Sequence, residues 1–130
     1  MSDKLLASPE VVHRSVQPGR AGRSEPLPDT LHPALAEALR NRGIETLWSH
    51  QAEAIHAGWA GPTIVTTGTA SGKSLCFQLP TLDVLCRDAR ARALYLYPTK
   101  ALAQDQARSL HGLGVARARP AIYDLSLIHI

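Results

Sequence analysis

Apolar residues recur at helical spacing in three stretches of this chain, a fourth stretch reads as a further helix, and short β-branched or aromatic runs lie between several of them. Leu31, Leu35, Ala38 and Leu39 fall on one face, Pro33 suits a first helical turn and Gly43 suits the end, which predicts a half-buried helix. A second helix is predicted from the stripe of Trp48, Ala52, Ile55 and Trp59, with Ser49 as its N-cap and Gly61-Pro62 as its stop. That stripe assigns Trp48 to core packing rather than to a ligand. A third helix carries Leu75, Leu79, Leu82 and Cys86, and Pro80 within it should kink it or shift its start. The segment TKALAQDQARSLHGL is the fourth. TIVTT, ARALYLYP and the stub PAIYD read as strands between them. Strand and helix alternate, which predicts an α/β domain with a parallel sheet and flanking helices.

Before residue 31 the pattern fails. SVQPGRAGRSEPLPD holds few large apolar residues, so residues 1–30 are expected to form a flexible lead. The remaining chain fits one domain, and an apolar content of 45% over 130 residues fills a modest core. A net charge of +3 permits a polyanionic partner without requiring one. No apolar run reaches membrane-spanning length and the N-terminus lacks a signal-peptide core, which gives a cytoplasmic expectation. Cys76 and Cys86 are too few for a disulfide framework and lack zinc-site spacing, so they are expected as reduced thiols on a buried helix. The six histidines show no metal-ligand grouping, and His32 and His50 are expected at caps or on the surface.

The chemistry concentrates in TTGTASGKS, residues 66–74, which joins a predicted strand to a predicted helix. Small residues there let successive backbone N–H groups close around phosphate oxygens, and the helix N-terminus adds partial positive charge. Lys73 supplies a cation for the β- and γ-phosphates, and the Ser74 hydroxyl supplies a ligand for Mg²⁺; these two are the candidate catalytic residues. A strict phosphate loop has glycine five residues before Gly72, where this chain has Thr67.

Read as Thr67, Gly68, Thr69, Ala70, Ser71, Gly72, Lys73 and Ser74, the loop resembles motif I of the superfamily 2 DEAD/DEAH-box helicases. SHQAEAI then resembles the glutamine motif of that family, which implies that Gln51 pairs with the adenine edge of ATP. YPTKALAQDQ resembles motif Ia, with Lys100 for the usual Arg and Ala101 for Glu, and implies that Thr99, Lys100 and Gln104 lie near a nucleic-acid backbone. The wording of the three segments is most similar to bacterial DNA-repair helicases with a cysteine-rich, metal-binding C-terminal domain. The resemblance covers most of residues 31–124 and implies an incomplete RecA-like, P-loop NTPase domain. It also implies ATP and Mg²⁺ as cofactors and single-stranded or partly duplex nucleic acid, DNA by family, as partner.

Two features depart from that family. Hydrolysis requires an acidic Asp-Glu motif, and no Asp-Glu pair occurs in the sequence. The 130-residue chain alone is therefore expected to show no DNA-stimulated ATPase. After Asp124 the family pattern gives way to LSLIHI, which resembles the translated mosaic end of a transposase used in DNA library preparation; residues 125–130 are expected to be a non-native tail. A different phosphate-loop nucleotide-binding module and a non-enzymatic DNA-binding remnant remain as alternatives.

Overall fold

The computed structural model describes residues 22–68 and 72–123. Its elements in chain order are β1 (Ser24–Pro26), α1 (Pro33–Asn41), β2 (Thr46–Trp48), α2 (Ser49–Ala60), α3 (Lys73–Arg87) and α4 (Lys100–Gly112). The four helices stand where the sequence predicts them.

Helix α1 shows why such spacing suffices. His32 is its N-cap, with Nδ1 accepting from the Ala34 N–H, and Pro33 occupies the first turn, where a missing N–H costs nothing. At the other end Gly43 takes φ 77, so its N–H reaches the Arg40 carbonyl and the Ile44 N–H reaches that of Leu39. This pair of bonds satisfies the last carbonyls and needs a residue that tolerates the left-handed region. The stripe between the caps buries Leu35 and Leu39 completely. They meet Leu47, Ile55, Leu79 and Leu82, and this cluster extends to Leu27, Leu110, Leu113 and Val115. Each large aliphatic side chain there contributes about 1.5–3 kcal/mol through burial.

Helix α3 runs through Pro80 without a shift in its start. The proline forfeits one backbone bond, the Thr81 hydroxyl donates to the Phe77 carbonyl, and the ring fits because the facing residue on α2 is Gly58. A Cβ at Gly58 would lie 3.3 Å from the ring.

Several expectations are corrected. The lead does not extend to residue 30: β1 pairs antiparallel with β2, Ser24 opposite Trp48 and Pro26 opposite Thr46, and Leu27 joins the core. Burial of Leu27 and the ladder bonds offset the entropy of ordering this stretch, and Pro26 is tolerated because β1 is an edge strand. Residues 1–21 lie outside the described residues. Among the described residues this antiparallel pair is the one sheet, and no parallel sheet is formed. Residues 62–68, 91–97 and 118–123 run without ladder partners. A parallel strand needs neighbours on its edges and cover on both faces, whereas Ile64, Leu94 and Leu96 are 91%, 82% and 84% exposed. The N-cap of α2 is Trp48, not Ser49. Trp48 is half exposed, its ring lying against the backbone of Gly22 instead of entering the core, because it ends a strand and points with the strand rather than with the helix stripe. Asp124 and the tail 125–130 lie outside the described residues.

Candidate functional site

The end of segment 63–68 and the start of α3 build the site. Gly72 precedes the helix with φ 74, a conformation that lets the chain turn sharply from loop into helix. The first turn of α3 carries Lys73, exposed, and Ser74, half-buried, and its leading N–H groups have no carbonyl partner within the helix. Lys73 Nζ donates to the Thr67 carbonyl at 3.0 Å, so the ammonium lies back across the loop. Around Gly68 there is open space for a group the size of a methyl or larger. Thr69, Ala70 and Ser71 lie outside the described residues.

Gln51 comes to this loop from the first turn of α2. Its Oε1 accepts from the Trp48 N–H at 2.9 Å, and its Nε2 donates to the Gly72 carbonyl at 3.0 Å. The side chain is almost wholly buried, and a Cβ on Gly72 would lie only 2.5 Å from Nε2. The amide therefore ties the start of α2 to the start of α3. Each end keeps one further hydrogen-bonding position, since an amide offers two donors and two acceptor lone pairs.

Behind the loop, α3 is anchored by a buried carboxylate that the apolar pattern did not reveal. Asp83 accepts from the His32 N–H at 2.7 Å and from Arg87 at 2.8 Å, and Arg87 also donates to the Thr30 carbonyl. Burial alone would raise the Asp83 pKa, but the Arg87 hydrogen bond, the His32 N–H and the Arg87 charge outweigh it and hold the pKa below the usual value. Both cysteines are free thiols on α3, and burial pushes both upward in pKa; for Cys86 the Asp83 charge adds to that. A signal for Asp83 does exist in the sequence: it stands one turn beyond Leu79 on the core side, where a charged residue needs a partner.

The second group of predicted residues opens α4. The Thr99 hydroxyl caps it by accepting from the Leu102 N–H at 3.2 Å. Lys100 and Gln104, one turn apart, are exposed on the same side of the helix. Gln104 borders an open depression with Arg108, His111 and Ile122. Before this helix, Tyr95 and Tyr97 stack at 6.2 Å between centroids, and burial raises the pKa of both hydroxyls. The structure thus brings Gln51, Thr67, Gly72, Lys73 and Ser74 to one site, and places Thr99, Lys100 and Gln104 together on another helix start. No helix among the described residues is long and apolar enough to cross a membrane.

The DEAD/DEAH box helicase family matches over residues 48–124. The chain is 46% identical over 93 residues to the uncharacterized ATP-dependent helicase YprA of Bacillus subtilis, covering 71% of this chain and 12% of that protein. It is 47% identical over 88 residues to the ATP-dependent helicase hrq1 of Schizosaccharomyces pombe, covering 67% of this chain and 8% of that one. Among solved structures it is similar to the DUF1998 helicase MrfA bound to DNA and AMPPNP, at 42% identity and a TM-score of 0.68 over 75% of this chain and 14% of that one. The chain spans about an eighth or less of the length of the two curated relatives.

Proposed function

This chain belongs to the DEAD/DEAH box helicases, and from that premise we propose that it forms the nucleotide-binding part of an ATP-dependent DNA helicase. The observation that carries the reading is the junction at Gly72. A left-handed residue opens the helix, a lysine and a hydroxyl follow at once, and the amide of Gln51 braces the carbonyl. The residues fit an anion: the loop leaves open space at Gly68, and the junction offers the leading N–H groups of Lys73 and Ser74 and an exposed ammonium.

When bound, Mg²⁺-ATP supplies the phosphoryl group whose transfer to water drives the motor. Lys73 exchanges the neutral Thr67 carbonyl for phosphate oxygens, a charge-assisted bond and so the stronger one. The Ser74 hydroxyl would hold the magnesium ion, and the backbone N–H groups of the loop from Thr67 to Gly72 would hold phosphate oxygens. Gln51 presents its remaining donor and lone pair to the adenine edge while its other bonds hold the loop. Thr99, Lys100 and Gln104 bear on the nucleic-acid backbone, where a helix start, a hydroxyl and a cation recognise phosphate without reading bases. DNA is proposed as the substrate because MrfA, a similar helicase, is seen bound to DNA. The extended segments 63–67, 93–97 and 120–123 are proposed as strands of a parallel RecA-like sheet in the complete domain. Their support is the alternation of half-buried Tyr95 and Tyr97 with exposed Leu94 and Leu96. Because the 130 residues hold no Asp-Glu pair, strand separation is proposed for the full-length protein only.

The test is a Lys73→Ala substitution in the full-length protein. DNA-stimulated ATPase should fall to background and nucleotide affinity should drop by about tenfold or more, as loss of a charge-assisted hydrogen bond requires. Single-stranded DNA binding without nucleotide should survive. ATP turnover indifferent to DNA in the parent protein would favour a different phosphate-loop module.

A further inference from the structure

One polar contact inside the molecule joins the two functional helices and belongs to neither site. Gln78 lies on the core face of α3, between Leu75, Leu79 and Leu82, and is only 1% exposed. Its Nε2 donates to Oε1 of Gln106 on α4 at 3.0 Å. An amide buried among leucines is costly without a partner, so this bond is retained in one geometry where apolar contacts alone would tolerate sliding. The positions matter as well. Gln78 stands five residues beyond Lys73 and Gln106 six beyond Lys100, about 7.5 Å and 9 Å along their helices. A displacement of α3 as its first turn closes on phosphate is thus carried through a short rigid stretch, one directional bond and another short stretch to the start of α4.

We propose that the Gln78–Gln106 hydrogen bond is a positioning contact that couples nucleotide occupancy at the α3 start to nucleic-acid affinity at the α4 start. The inference rests on the reading of those two starts given under Proposed function. Neither glutamine touches nucleotide or nucleic acid; they act through the orientation of one helix against the other. Coupling of this kind is reciprocal, so each ligand should change affinity for the other by the same factor.

The experiment measures oligo-dT affinity of the full-length protein with and without AMPPNP, and AMPPNP affinity with and without oligo-dT. In the parent protein the two ratios should agree and differ from one by about fivefold or more. Gln78→Met and Gln106→Met should each leave both separate affinities within about twofold while the ratio collapses toward one, and the double variant should do no more than either alone. Gln106→Glu keeps an acceptor oxygen facing Gln78 and should preserve the ratio, which a purely packing role does not predict. An unchanged ratio in both methionine variants overturns the proposal, and so does a parallel loss of both separate affinities in the half-exposed Gln106→Met. A parent protein that binds both ligands with a ratio of one overturns this proposal alone. A parent that binds neither overturns the proposed function as well.

Discussion

At the scale of single residues, Gly72 carries the most constraint in the site. Its φ of 74 disfavours any side chain by about 1–2 kcal/mol. A Cβ there would also collide with the Gln51 amide at 2.5 Å. Gly72→Ala should therefore displace Gln51 and weaken nucleotide binding by about tenfold, the equivalent of one lost hydrogen bond. Titration with a fluorescent ATP analogue checks this, and parent-like affinity would refute the brace. The sequence pointed to Gly72 as part of a phosphate-loop pattern. It could not show that Gln51, 21 residues earlier, holds the Gly72 carbonyl, because that contact is made by folding and not by spacing.

At the scale of elements, the bond network at Asp83 fixes how α1 and its approach sit on α3. The carboxylate receives the His32 N–H while Arg87 spans from Asp83 to the Thr30 carbonyl, so one charge organises two chain segments. Its folded pKa lies below the unfolded value of about 3.9. The stabilisation is accordingly complete above that unfolded value and lost as pH falls through the lower folded one. Asp83→Asn should cost about 1.5–3 kcal/mol at pH 7, the range for hydrogen bonds to a charged group. Hydrogen exchange over residues 31–36 should quicken in that variant at neutral pH, and the difference from parent should shrink as the pH is taken below about 4. A difference that grows in acid would contradict the sign. Helix existence was legible because α1, α2 and α3 carry full apolar stripes and local stop signals. The shift of the α3 start that Pro80 leads one to expect is absent, because the fit of its ring depends on Gly58 of another helix.

At the scale of the whole molecule, the packed part and the extended segments differ in kind. The helices, with β1 and β2, enclose a leucine-rich core, whereas Ile64, Leu94 and Leu96 present apolar surface outward from chain that has no ladder partners. Such a face associates when left uncovered. Expressed as these 130 residues, the protein should sediment above monomer mass and bind a hydrophobic dye. Leu94→Glu combined with Leu96→Glu should lower both signals. A monodisperse monomer without dye binding would show that the face is covered by other means.

By itself the sequence determined what local periodicity and short-range chemistry encode: four helices, their proline and glycine limits, a phosphate-loop pattern at Gly72-Lys73-Ser74, and the motif order that leads to the helicase family. These depend on neighbours a turn or a loop away. Tertiary structure alone decided that Ser24–Pro26 pairs with Thr46–Trp48, that Trp48 stays half exposed, and that Gln51 braces Gly72. It alone also paired Gln78 with Gln106. Hydrogen bonds and burial between distant segments depend on where the folded chain brings them together, and periodicity carries no record of that distance.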